Sequence, residues 1–411
     1  MDYKEPATLY HMDASPSRDS NLQRLIDERR SADSSFSLGY ATEAGELFLG
    51  VPRELSVLLE KVLRRERKVS KLMGAVPGIA GDEVLRSLAF DEVISSNSIE
   101  NIHSTRRQIG ASLKASSQES MKARRFREFA RLYLELITGE SEVPESPADL
   151  RAIYDRVMDS EDLEHEPDGM LFRRGEVLIT DGVKVRHAGL LPESRIIEAM
   201  EAMLRIARSD EMPSVYRALI SHYIFEYAHP FYDGNGRTGR YLLSLFLEEA
   251  LSKPTALSLS RVIAENKPAY YQAFETVEDP LNHGETTFFV ATMLDFIYTA
   301  QGELFDKLER AKVRYDLLCE HSAQLELQGR FSKREASLIF ILAQQASFGM
   351  FDDMALERLA ELLALGTQQT RNHLGRLENQ NVVRKVRGRA PITFALTEEF
   401  EAEAFPSVHE A

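Results

Sequence analysis

Apolar residues recur at helical spacing through most of the chain. After Pro52, LSVLLEKVLRRERKVSKLM, then SQESMKARRFREFARLYLELITGE and PADLRAIYDRVM, each place them three and four apart, which predicts helices with one buried face. SVYRALISHYIFEYA and YLLSLFLEEAL are apolar almost all round and predict helices buried on every side. The period changes in EVLITDGVKVRH. There Val177 and Ile179, then Val183 and Val185, alternate on either side of Asp181 and Gly182, the signal of a β-hairpin closed by a type I′ turn. Residues 1 to 50 mix Ser, Gly and polar residues and show no clear period.

Downstream, KPAYYQAFETV and the long ETTFFVATMLDFIYTAQGELFDKLERAKVRYDLL predict two more helices, the second long enough to act as a connector. The last segment changes character. Helical patterns at KREASLIFILAQQ, ALERLAELLAL and TQQTRNHLGRLENQ precede VVRKVRGRAPITFAL, which reads as two strands around a basic turn. Three short helices and a hairpin suggest a winged helix. No internal repeat or low-complexity tract interrupts these patterns.

Composition narrows the picture. A length of 411 residues suits two or three domains. Cys319 is the only cysteine, which excludes an intramolecular disulfide and any cysteine-built zinc or iron–sulfur site. The N-terminus lacks a basic segment followed by an apolar run, and no stretch approaches a membrane span, so a cytoplasmic protein without membrane partners is expected. A net charge of -15 argues against general attraction to nucleic acid.

Between the two all-apolar helices lies HPFYDGNGRTGR, a polar loop opening the second of them. GNGRTG satisfies GxGxxG, but the dinucleotide fingerprint needs a preceding strand, and here a helix precedes. No lysine followed by Ser or Thr closes a Walker loop. A structural turn would explain the glycines, but not the His, Asp and two Arg beside them. Gly234 and Gly236 let backbone amides approach an anion, and the helix starting near Arg237 points its positive end at the same place. Arg237 and Arg240, three apart, suit a polyphosphate. Asp233 suits magnesium shared with phosphates, and His229 is the loop's one group able to accept a proton near neutral pH.

HPFYDGNGRTGR resembles the Fic family signature HxFx(D/E)GNGRxxR at every specified position, and the likeness extends from the hairpin through LLPESRIIEAMEAML to YYQAF. The resemblance implies a mainly α fold: a helical core with one β-hairpin flap, here followed by the winged helix. It implies a protein adenylyltransferase that moves AMP from ATP to a side-chain hydroxyl of a target protein, with magnesium. It further implies His229 as base and Asp233 as metal ligand. Gly234, Asn235 and Gly236 would contact the nucleotide, the last two as an anion hole. Arg237 and Arg240 would hold the outer phosphates, with Phe231 packed below the loop. Ile179, Thr180, Asp181 and Gly182 would form the flap that aligns a target segment. Tyr270 and Tyr271 are candidates for the adenine pocket, against the plainer reading of aromatic core residues on a helix.

SSNSIENI matches the family's inhibitory pattern (S/T)xxxE(G/N) through Ser96 and Glu100, and the resemblance implies that Glu100 pairs with Arg240 and obstructs the γ-phosphate. Asn97 and Glu100 also have the spacing of a helix capping box. The expected organisation is an N-terminal helical region over residues 1–85, a Fic core over 86–305, and a connector helix with winged helix over 306–411.

Between Gly366 and Leu396, six basic residues, Arg371, Arg376, Arg384, Lys385, Arg387 and Arg389, face only Glu378, a net charge of +5. Such a module suits DNA, protein docking or a homodimer. The rival functional reading is therefore a DNA-binding regulator whose core senses nucleotide. Within the enzyme class, removal of AMP from modified proteins is a further alternative.

Overall fold

The computed structural model describes residues 3–114, 120–180, 185–406 and 408. The fold is mainly helical. Helices α1 (Pro6–Met12) and α2 (Arg18–Arg30) lead into an antiparallel hairpin of β1 (Ser35–Thr42) and β2 (Gly45–Gly50). Next come α3 (Arg53–Gly74), α4 (Gly78–Ile99), α5 (Arg106–Lys114), α6 (Met121–Arg124), α7 (Arg127–Thr138) and α8 (Pro147–Val157). A second antiparallel hairpin, β3 (Leu178–Thr180) with β4 (Val185–Ala188), precedes α9 (Glu193–Ala207), α10 (Ser214–Ala228) and α11 (Asn235–Leu247). Short α12 (Lys253–Ala256) and α13 (Leu259–Glu265) lead to α14 (Lys267–Glu278) and the 41-residue α15 (Thr287–Leu327).

By compactness the chain forms two units: Met1–Arg67 with Ala89–Gly302, and Lys68–Leu88 with Glu303–Ala411. In the first, α10 is the central helix. All its residues except Ser214 and Glu226 are buried, as a sequence apolar on every face requires. Tyr223 of α10 packs on Phe274 of α14 and Phe289 of α15, with ring centroids 5.8 and 5.4 Å away.

The second unit adds α16 (Lys333–Phe348), α17 (Leu356–Leu362), α18 (Thr367–Asn379) and α19 (Glu398–Ala404). Its three-stranded antiparallel sheet has the order β5 (Met354–Ala355), β7 (Thr393–Leu396), β6 (Val383–Arg387). Its core gathers Leu338 and Leu342 of α16, Leu359 of α17, Leu374 of α18 and Phe394 of β7. A capping box starts α16: Ser332 Oγ accepts from the Glu335 amide while Glu335 accepts from Ser332.

Three expectations need correction. The single hairpin is joined by β1–β2, so the N-terminal region is not purely helical. Phe36, Leu38 and Tyr40 alternate with Ser35, Ser37 and Gly39 in β1, a period-2 strand signal that the sequence reading overlooked among the Ser, Gly and polar residues of this region. The SQESM…ITGE pattern is two helices rather than one, because Phe126 takes a left-handed conformation at φ 68° and breaks the run; residues 117–119 lie outside the described residues. The C-terminal sheet has a third strand, β5, too short to register as a pattern. Among the described residues no helix is long and apolar enough to cross a membrane.

Candidate active site

The polar loop is fixed from below by aromatic packing. Phe231 is fully buried, stacked on Tyr154 with centroids 3.6 Å apart and edge-on to Phe172. Asn235 staples the loop across its width: Oδ1 accepts from the Phe231 amide at 2.9 Å and Nδ2 donates to the Phe231 carbonyl at 2.8 Å. Gly234 enters α11 at φ +76°, where a side chain would be strained and would strike Met158. Helix α10 ends at Ala228 and is capped by His229, itself left-handed at φ 49°, and α11 begins at Asn235. The first amides of α11, which no helix can satisfy internally, therefore open beside His229.

A cavity of about 650 Å³ receives Glu100, Ile179, Glu226, His229, Gly236, Arg240 and Tyr271. Arg240, 2% exposed, donates from Nη2 to Glu100 Oε1 at 2.7 Å and to the Ser96 carbonyl at 3.0 Å, and from Nε to Ser96 Oγ at 3.0 Å. Burial alone would raise the Glu100 carboxyl, but the Arg240 guanidinium prevails and holds it below the ordinary carboxylate range. A Cβ on Gly236 would run into the Glu100 carboxylate, so glycine is what lets that group reach the α11 turn. Lys267 donates to the Ser98 and Ile99 carbonyls at 2.8 and 3.0 Å, capping the turn that carries Glu100.

The capping-box alternative for Asn97 and Glu100 is overturned. Helix α4 ends at Ile99, so these residues lie at its C-terminus, and the Asn97 side chain donates to Ser104 instead.

The two arginines take different carboxylates. Arg237, 1% exposed, donates to Glu161 Oε1 at 3.1 Å; Glu161 is also held by Arg125 at 2.9 Å. Arg237 is not among the cavity's lining residues, whereas Arg240 is. The side chain of Asn235 is engaged with Phe231, so only backbone amides there are left to meet an anion. Asp233 is exposed and accepts the Gly234 amide at 2.6 Å. Tyr270 is buried and hydrogen-bonded to His222 at 2.7 Å, while Tyr271, 45% exposed, stands at the cavity edge. Ile179 of β3 lines the cavity and Thr180 ends that strand; Asp181 and Gly182 lie outside the described residues.

Burial, reinforced by the charges of His187 and Arg173, pushes His229 down to about 3, so the imidazole is neutral and unprotonated. Glu226, three residues before it, is pushed up to about 8 by burial, and its Oε1 is buried without a hydrogen-bond partner. Sequence reasoning missed Glu161, Arg173, His187, Glu226 and Lys267. Four act through contacts, and Glu226 through its burial, that no local spacing reveals.

Residues 144–247 match the Fic/DOC family. Over 110 residues the chain is 30% identical to a probable protein adenylyltransferase of Aquifex aeolicus (strain VF5). The match takes in 25% of this chain and 32% of that protein, so the chain spans about a third of the curated relative it matches. Among solved structures it is similar to a Fic family protein from Desulfovibrio desulfuricans G20, at 20% identity and a TM-score of 0.47, over 82% of this chain and 96% of that one. It is also similar to a Fic domain containing signaling protein from Bacteroides thetaiotaomicron VPI-5482, at 16% identity and a TM-score of 0.43, over 61% and 96%.

Proposed function

We propose that the first unit transfers AMP from ATP to a side-chain hydroxyl of a target protein, and that Glu100 holds this activity down. The observation that carries the reading is the convergence on one cavity of His229, the first turn of α11 and Arg240, with Glu100 already seated on Arg240. The matching family and the name of the Aquifex relative favour this reaction among phosphoryl transfers.

A hydroxyl brought into the cavity would give its proton to His229 while its oxygen bonds to the α-phosphorus. The bond from that phosphorus to the oxygen bridging to the β-phosphate breaks, and pyrophosphate leaves with the electron pair. The free amides at the start of α11 would receive the α-phosphate. Arg240 would take the outer phosphates once Glu100 withdraws, and Arg237 could join it only by parting from Glu161. In the closed site His229 is too weak a base to be efficient; the negative charge of an arriving triphosphate would raise its proton affinity.

Among the described residues no three His, Cys, Asp or Glu form a protein-built metal cage. Asp233 alone still suits magnesium, which takes most of its ligands from phosphate and water and would supply neutralisation of the charge on the leaving pyrophosphate. The test is His229→Ala: AMP transfer should vanish while ATP binding by calorimetry is largely kept, because a base acts in the transition state. Undiminished transfer would sink the assignment.

For the second unit we read three helices and the β5–β7–β6 sheet as a winged helix with α18 as its recognition helix. Gln368, Gln369, Arg371 and Asn372 are exposed on α18, while Thr370, Leu374 and Leu377 are buried. Exposed Gln, Asn and Arg on one helix are the side chains that read base edges, which favours DNA over a purely structural role.

A further inference from the structure

One histidine fastens strand β4 to the helices behind it. His187 Nδ1 lies 2.8 Å from Glu278 Oε2 at the end of α14, and Nε2 lies 2.7 Å from the Tyr227 carbonyl in the last turn of α10. Both partners are acceptors. A carbonyl carries no proton, and a carboxyl group gives up its proton at lower pH than an imidazolium does, so the protons of both contacts belong on the ring. A neutral imidazole has one N–H and satisfies one partner; only the imidazolium satisfies both. The side chain is 13% exposed, so water is a poor substitute for a lost contact.

The place of this clasp gives it consequence. Tyr227, Ala228 and His229 present consecutive carbonyls at the C-terminal, negative end of α10. Arg173, fully buried, donates to the Ala228 carbonyl at 3.3 Å and to the His229 carbonyl at 2.7 Å. Two cations, one permanent and one able to lose its proton, thus cap the three carbonyls that lead to the candidate base. On the strand side His187 is in register with Ile179 of β3, and its neighbour Arg186 pairs with Glu275 of α14 at 2.9 Å.

We propose that His187 is a positioning residue whose imidazolium ties the β3–β4 hairpin to α10 and α14 and sets His229, and that it releases both when it loses its proton. The effect on His229 rests on reading that residue as the base of AMP transfer; the clasp itself does not. The titratable and charged groups around the ring are Glu278 of α14, Glu226 and Tyr227 of α10, His229 at its C-cap, and Arg173 on the adjoining carbonyls; Glu275 of α14 is taken by Arg186. Burial disfavours the imidazolium, but the hydrogen bond and charge of Glu278 outweigh it, so the ring holds its proton above the ordinary histidine range. A raised folded-state value means that the clasp's contribution is complete below about pH 6.5, the unfolded value, and is lost as pH climbs through the folded one.

The experiment uses the full chain, with hydrogen exchange of the segments around residues 185–190 and 225–230, corrected for intrinsic rates, and a proton NMR titration of the ring. Wild type should lose roughly tenfold in protection between pH 6 and 9, the size expected for a hydrogen bond to a charged group. His187→Gln, a neutral single donor, should be weakly protected throughout, and His187→Arg, a permanent double donor, should stay protected at high pH. A ring titrating at or below pH 6.5, or protection indifferent to pH and to both variants, overturns the clasp. In a Glu100→Gly background kcat should fall along the same curve and flatten in His187→Arg, the loss of position outweighing the gain in His229 basicity when the neighbouring charge goes. If transfer occurs but kcat ignores the clasp, the link to His229 is overturned. Absence of any transfer, with the clasp titrating as expected, would count against the AMP reading and in favour of the clasp as an independent feature.

Discussion

Glu100 Oε1 sits 2.7 Å from Arg240 Nη2, across 140 residues of chain, at the mouth of the α11 turn. The carboxylate occupies the guanidinium that a terminal phosphate would need, and Ser96 satisfies the other face of the same side chain. Glu100→Gly should therefore leave Arg240 anchored and expose its anion-binding edge. AMP transfer, self-modification included, should rise on the order of 10- to 100-fold, the factor equivalent to a charge-assisted hydrogen bond of about 1.5–3 kcal/mol. Combining it with His229→Ala should abolish the gain. Mass-spectrometric counting of AMP at matched folded concentration decides it: a flat response in the single variant ends the inhibitory reading.

Lys267 offers a way to loosen the same contact without touching either partner. Its ammonium caps the Ser98 and Ile99 carbonyls, and so holds the turn from which Glu100 projects. Lys267→Met keeps the side-chain stem and removes the cap. We expect transfer to rise a few-fold, less than for Glu100→Gly, at an unchanged KM for ATP, since roughly 1 kcal/mol of capping corresponds to about fivefold. A raised KM with no gain in kcat would instead make Lys267 a nucleotide ligand.

How much of this was legible in the sequence follows contact range. The loop from His229 to Arg240 is read correctly as a loop opening a helix because its logic is local: two all-apolar flanks, glycines at the turn, and Asn235 four residues from its partner Phe231. Spacing also placed Arg237 and Arg240 together, and it gave no hint of the carboxylates they pair with. Each follows its own carboxylate, Glu161 from 76 residues away and Glu100 from 140, and helical periodicity says nothing about such partners. SNSIEN shows a different ambiguity. The same letters begin one kind of helix and end another, and only the course of α4 decides. Arg173 and His187 carried no signal at all, since their work is to meet carbonyls of α10.

The exposed face of α18 and the β6–β7 turn yield a separate test. Arg371 and Arg387 are exposed, and Arg384 is paired with Asp352, so the first two are the freer charges to change. If this unit binds duplex DNA, log affinity should fall linearly with log salt, and replacing both arginines by Glu should weaken binding at least tenfold and flatten the slope by about two contacts. Selection from a random duplex pool with a salt titration measures both. Salt-independent or undetectable binding would favour protein docking.

Glu226 provides a prediction that requires no substrate. Its carboxyl lines the cavity between Arg240 and His187, with Oε1 buried and unpartnered, and burial lifts it to about 8 despite the nearby positive charge of Arg240. In the unfolded chain a glutamate loses its proton near 4.3. Between those values the folded protein binds more protons than the unfolded one, so this group's contribution is complete below about pH 4.3 and declines as pH rises toward 8. Glu226→Gln is nearly isosteric and carries no charge, so it should remove that decline. The variant should match wild type near pH 4 and exceed it by a few kcal/mol near pH 8, where the wild type must bury a carboxylate or distort to hydrate it. Urea unfolding of both proteins at each pH gives the difference directly. A stability difference that is constant across this range would mean that Glu226 is ionised in the fold, and that Arg240 is shared between two carboxylates rather than held by Glu100.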